Sequence, residues 1–169
     1  MRRSLSGAYL VLLMLLPLST AAAGEVLVSV NLGDGAYSAS GAYLKFTPPM
    51  AFDGNAKPAF TYWNSGDFPS QWVEVDLQRS YSVQRVNLIV AQRPDGETTH
   101  EVWASSQPIR EDTESATRVI TFDGFTKDRQ WLMAWFTQPQ TARYIQIRTI
   151  RSPSWVAWKE IQVVAVLPE

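Results

Sequence analysis

Residues 71–77, QWVEVDL, constrain this chain more than any other stretch. Val73, Val75 and Leu77 fall on one side, Trp72, Glu74 and Asp76 on the other. Successive side chains of a strand point to opposite faces, so the segment reads as a β-strand with one face buried. Two turn signals precede it. Asp53-Gly54-Asn55 is a tight turn, because glycine tolerates positive φ and Asp and Asn side chains bond their own backbone. Trp63-Asn64-Ser65-Gly66 is a second loop, with an aromatic beside an amide and a hydroxyl.

The rest of the chain repeats this grammar. Residues 26–32 alternate and end on Gly33-Asp34-Gly35. Residues 36–49 read as loop, broken by Gly41 and Pro48-Pro49. Further strands are expected over 83–91, 100–105, 117–122, 131–136, 142–150 and 161–167, between turns rich in Gly, Pro and Asp. No segment has a convincing helical period, and no internal repeat or linker is evident. The expected fold is all-β: an antiparallel β-sandwich of the jelly-roll kind.

Residues 1–23 stand apart. Arg2 and Arg3 precede an apolar run over 9–18, and Ala21-Ala22-Ala23 precede Gly24. That is the layout of a secretory signal peptide, so the chain is expected to be exported, to a periplasm or the extracellular space. The run is shorter than the roughly 20 apolar residues of a spanning helix, and no transmembrane segment is expected in the mature chain. Residues 24–169 then form one domain, long enough to bury about 68–70% of its unfolded surface. The chain has no Cys, which excludes disulfides and thiolate chemistry. Loss of Arg2 and Arg3 takes 15 basic residues to 13 against 16 acidic ones, a net charge of about −3. Bulk charge therefore does not draw this domain to nucleic acid or to anionic lipid.

Catalysis finds little footing. A nucleophilic triad needs a base in reach of Ser or Thr and an acid to orient it. His100 is the only histidine, and its neighbour Glu101 would point to the opposite face of a strand. Asp67, Glu74, Asp76, Asp95 and Glu97 show no pairing suited to glycoside hydrolysis. No zinc spacing and no phosphate-binding glycine loop is present. The chain is not expected to be an enzyme.

The order AFDGN, TYWNS, QWVEVDL, followed by ARYIQIR at 142–148 and SWVAWKEIQV at 154–163, resembles the discoidin family. These are the coagulation factor 5/8 type C domains, whose bacterial members include galactose-binding-like carbohydrate-binding modules. The resemblance implies a structural calcium ion. Its ligands would be Asp53, Asn55, Thr61 and Glu160, with the Phe52 carbonyl. A hard cation takes six to eight such oxygens. Residues 56–60 make the spacing between Asn55 and Thr61 longer than the family's, and Lys57 adds a positive charge. The alternative for this loop is an Asx-turn held by hydrogen bonds alone.

In such a fold the loops at one end carry recognition. Sugar sites combine an aromatic face for the C–H side of a ring with planar polar groups for its hydroxyls. Arg93, where sugar-binding relatives often place a gripping arginine, Asn64 and Trp155 are expected to line one concavity, with His100 or Glu97 at its rim. Trp63 and Trp158 are expected in the core. Trp72, Trp103, Trp131 and Trp135 are strand residues, expected mostly to pack. The 36–47 loop lacks the histidine that galactose binders of the family often carry there, and has Tyr37 and Tyr43 instead. The function expected is non-catalytic glycan binding. The alternatives are a protein-interaction or assembly module of the cell envelope using the loop tryptophans, and phospholipid head-group binding, for which Phe68 is the candidate.

Overall fold

The computed structural model describes residues 24–57 and 61–167; the expected leader, 1–23, lies outside the described residues. Among the described residues eight strands run in chain order: β1 Glu25–Leu27, β2 Tyr37–Ala39, β3 Trp63–Asn64, β4 Gln71–Val90, β5 Gly96–Ser105, β6 Thr117–Thr126, β7 Trp131–Arg151 and β8 Ala157–Val166. The order across the sheet is β1-β8-β4-β7-β5-β6, with β2 added to β4 and β3 to β8, and every pairing is antiparallel. Among the described residues helix is limited to two short 3-10 turns, Asp34–Ala36 and Pro48–Ala51. No helix among the described residues is long and apolar enough to cross a membrane.

The two long strands make the sandwich. The first half of β4 pairs the second half of β7, from Gln71↔Thr149 to Asp76↔Tyr144, and its second half pairs the start of β7, from Arg85↔Trp135 to Ile89↔Trp131. Register breaks after Asp76, next to Gln78 at φ 68°, so the ribbon bends there and serves both layers. Two strands expected on either side of 78–82, and two on either side of 137–141, are therefore single bent strands. Their polar middles, exposed on both faces, imitate a loop. Between the layers lie Val73, Val75, Leu77, Val86, Leu88, Ile145, Ile147, Ile161 and Val163, all essentially inaccessible. Burying each contributes about 1.5–3 kcal/mol.

Outer faces differ. Trp72 and Glu74 point away from the core yet are buried, because the segment after β5 folds over them. The Trp72 indole donates to Glu111 Oε1 at 2.7 Å, and Glu74 Oε2 accepts from the Ile109 and Arg110 N–H groups, each at 3.0 Å. Trp131, Met133 and Trp135 are instead exposed at alternate positions of β7, with the Arg85 guanidinium over the Trp135 ring. The expectation that Trp131 and Trp135 mostly pack is thus corrected: alternation turns both outward, and nothing among the described residues covers them as it covers Trp72.

Candidate functional site

Several loops meet at one end. The turn after β6 docks on the end of β4 through Val90 N–H to Gln130 and Arg129 N–H to Val90. The β7–β8 loop is tied to the loop after β3 through Ser65 N–H to Val156 and Val156 N–H to Asp67. Gly96 lets the β4–β5 loop close against it, since a Cβ there would lie 2.9 Å from Pro153 Cγ. Beneath, Gln92 is held by Thr126, whose hydroxyl donates at 3.0 Å. These contacts enclose a concavity of about 780 Å³ lined by Asn64, Arg93, Trp155 and Lys159, among others. That size suits a small ligand.

Trp155 is 40% exposed, held edge-on by Tyr43 at 5.2 Å between ring centres. The loop around it fixes its backbone and leaves its indole half in water. Asn64 Oδ1 accepts from Gly66 N–H at 2.9 Å, while its Nδ2 donates to nothing among the described residues. Arg93 projects into solvent with its side chain 84% exposed and Nη2 3.6 Å from Asp128 Oδ2. Lys159, by contrast, is folded in: its side chain is 9% exposed, with Nζ 4.0 Å from Asp128 Oδ1 and over the Tyr62 ring. Burial pushes the Lys159 ammonium below the ordinary lysine value; Asp128 restores part of it, and the charges of Arg129 and Arg93 depress it again.

Of the five residues expected at this end, the structure brings Asn64, Arg93 and Trp155 together and leaves two out. His100 is 3% exposed: Nδ1 meets Thr149 Oγ1 at 3.0 Å, the ring packs edge-on against Trp158, and burial lowers its pKa to about 4. Glu97 is exposed on β5, 3.6 Å from Arg151. Neither lines the concavity. The reason is the start of β5, which is Gly96 rather than His100, so both lie on a strand and alternation turns His100 inward. Lys159, Asp128 and Arg129 were missing from the expectation. The signal for Lys159 was a cation directly beside the core-expected Trp158 in the strand run VAWKEIQVV.

On the other side of β8 lies a second cluster. Asp53 Oδ1 accepts from Asn55 N–H at 2.8 Å and Asn55 Oδ1 from Lys57 N–H at 3.1 Å, two successive Asx turns around Gly54 at φ 78°. Glu160 is fully buried, and neither of its carboxylate oxygens has a hydrogen-bond partner among the described residues; the Thr61 hydroxyl is buried and unpartnered too. The β3–β8 register, Trp63↔Trp158, continued outward by two residues, sets Thr61 opposite Glu160. Burial first, then the negative charge of Asp53, pushes the Glu160 pKa up to about 8. The N–H groups of Gly54 and Asn55 face it and lower the value part of the way without closing hydrogen bonds of normal geometry. Phe52 is buried and stacked on Tyr37, so only its carbonyl is open to a ligand role. Among the described residues no three His, Cys, Asp or Glu side chains gather as a metal-binding group. Two carboxylates, a hydroxyl and loop carbonyls are an oxygen set, which fits a hard cation and not zinc.

Comparison with known proteins places these features. No curated protein matches the chain. Among solved structures, the family 32 carbohydrate-binding module of AlyQ, in complex with 4,5-unsaturated mannuronic acid, is 23% identical with a TM-score of 0.62, covering 76% of this chain and 92% of that one. The family 32 module of C. perfringens NanJ, in complex with galactose, is 19% identical with a TM-score of 0.62, covering 83% and 98%. Chitosan-binding module 1 from a chitosanase/glucanase of Paenibacillus sp. IK-5 is 25% identical with a TM-score of 0.60, covering 82% and 98%. These likenesses establish the galactose-binding-like sandwich. A family profile described as the NedA-like, galactose-binding domain of the F5/8 type C group matches residues 50–147, the stretch that carries the DG turn, the bent ribbon and the Arg93 loop. With more than half its length inside that match, the chain belongs to the F5/8 type C, galactose-binding-like family.

Proposed function

We propose that this protein is a non-catalytic, exported carbohydrate-binding module that holds a saccharide in the concavity at the loop end of the sandwich. The observation that carries the reading is the half-exposed Trp155 indole beside donors that the protein leaves free, those of Asn64 and Arg93. The indole offers its face to the C–H side of a pyranose ring, and the amide and guanidinium take hydroxyls. The relatives bound to galactose and mannuronic acid support the ligand class. A single ring on a single indole, with water competing for each hydroxyl, predicts an affinity on the order of 0.1–1 mM, about −4 to −5.5 kcal/mol. A glycan array followed by calorimetry tests it: binding is expected for some saccharide and is expected to fall in Trp155→Ala and Arg93→Ala, both still folded. Unchanged binding in both folded variants would move the site elsewhere.

The reading includes a structural calcium ion. Asp53, Glu160, Thr61 and the Phe52 carbonyl would hold it, with Asn55 contributing through its main chain, because its amide oxygen already accepts from Lys57. The fully buried Glu160 carboxylate, without a hydrogen-bond partner among the described residues, supports this, since an uncompensated buried charge is costly and a divalent cation offsets it. The ion's part would be to neutralise that carboxylate and fix the 52–55 loop.

A second reading has its own observation. Leu44 is 76% exposed at the tip of a tight turn, with Tyr43, Phe68 and Trp155 also exposed. Four such apolar residues on loops of one molecule would suit a protein partner of the envelope. Leu44→Asp separates the two: it should leave glycan binding intact and abolish capture of a protein partner.

A further inference from the structure

We propose that the ligand of this concavity is an anionic saccharide, one carrying a carboxylate or a sulfate ester, rather than a neutral sugar. The inference rests on the carbohydrate reading above and narrows it. Its ground is a charge imbalance in a confined place. Arg93, Arg129 and Lys159 converge there on one acidic lining residue, Asp128. Asp95 stands behind it, accepting the Asp128 N–H at 3.0 Å. Even with Asp95 included, cations lead, although the whole chain carries a net charge of −1. The excess is therefore local.

The three cations are also unsatisfied. Their distances to Asp128 are 3.6 Å from Arg93, 3.8 Å from Arg129 and 4.0 Å from Lys159. Asp128 itself takes a true hydrogen bond only from Gln92 N–H, at 3.2 Å. None of the three side chains donates a hydrogen bond to any described residue. The protein thus holds two guanidinium forks and an ammonium around one carboxylate and leaves their N–H groups free. A neutral hydroxyl would accept such a bond but leave the repulsion among the cations in place. A carboxylate or sulfate would accept several and cancel charge, and guanidinium suits both. Lys159 strengthens the point. Its ammonium is folded into the wall beside the two guanidinium groups, and an anion in the concavity would offset the repulsion among the three. The Trp155 indole at the rim keeps the requirement for a ring.

The test is calorimetry of the protein against matched pairs: tri-uronates of galacturonic, mannuronic and glucuronic acid, each beside its carboxyl-reduced neutral counterpart, with galactose 6-sulfate beside galactose. At about 20 mM salt the acidic member of at least one pair should bind about tenfold or more tightly than its neutral partner, and the margin should shrink at about 0.5 M, where the Debye length falls to a few ångströms. The uronate and sulfate arms tell which anion is preferred. Arg129→Gln, on the exposed turn, should lower the acid-to-neutral ratio several-fold, and so should Lys159→Met if that buried change leaves the protein folded. Equal or tighter binding of the neutral members would overturn this inference while leaving the carbohydrate reading standing. Binding of no saccharide in either series would remove both.

Discussion

Lys159 and Glu160 are neighbours on β8 and face opposite sides of it, and the two sides differ in kind. Lys159 looks into an open concavity and has Asp128 within Coulomb reach. Glu160 looks into a closed loop, 0% exposed, with no hydrogen-bond partner for either oxygen among the described residues. Water reaches the first side and competes there for every hydrogen bond. On the second nothing competes, so an unpaired charge carries its full desolvation cost. The open side is suited to weak, reversible binding, and the closed side to a resident ion that serves stability. On the proposed reading, one strand joins a recognition site to its support.

The largest effect expected of a bound ligand belongs to the closed side. With calcium at about 100 times its Kd the fold should gain about 2.7 kcal/mol. Scanning calorimetry should then show a melting temperature about 5–10 °C higher than in chelator, given a few degrees per kcal/mol for a domain of this size. Glu160→Gln removes the charge and keeps the shape. It should abolish that calcium response and melt no lower than the parent in chelator at pH 8. A parent insensitive to calcium would break the comparison.

Next in size is a pH effect beneath the floor of the domain. The folded state holds His100 near pKa 4, against an unfolded value of 6.5, because burial penalises its charged form. The unfolded chain therefore takes up a proton first as pH falls. The contribution of His100 is fully present above about 6.5 and is lost progressively as pH drops toward 4. Denaturant melts of the parent and of His100→Gln, compared between pH 7 and 4, should show a steeper decline for the parent. Parallel declines would place His100 in contact with water.

Smallest in stability, yet decisive for function, is Trp155→Ala. It should shift the unfolding free energy by less than about 1 kcal/mol, since the indole is half in solvent, and weaken saccharide binding about tenfold, the order of an aromatic contact. Trp63→Ala is the counterpart: fully buried, it should cost about 3–5 kcal/mol. If the two tryptophan variants were equally destabilised, Trp155 would be core and the open side would lose its platform.

Alternation made much of this legible. Val73, Val75 and Leu77 were readable as core from QWVEVDL alone, and a sandwich followed from many such runs. What alternation cannot see is a loop lying on a strand's outer face, which is why Glu74 reads as solvent-facing and is buried, while Trp72, expected to pack, does so on that outer face. It also misjudges where a strand begins. Thr98 and His100 belong to β5, and a start four residues early turned a rim histidine into a core one. The proximity of Glu160 to Asp53 spans more than a hundred residues and was accessible only through resemblance to a family. Asp128 and Arg129 escaped notice because a short polar turn says nothing about which other loops it will meet.

Whether the loop end holds saccharide can be read by titrating a bound saccharide into the isotopically labelled protein and mapping amide, indole and guanidinium NMR shifts. The perturbed resonances should cluster on Asn64, Arg93, Lys159 and the Trp155 indole, and Trp131 and Trp135 on the outer face of β7 should stay unmoved. Perturbations centred on Trp131 and Trp135, with Trp155 unchanged, would contradict it.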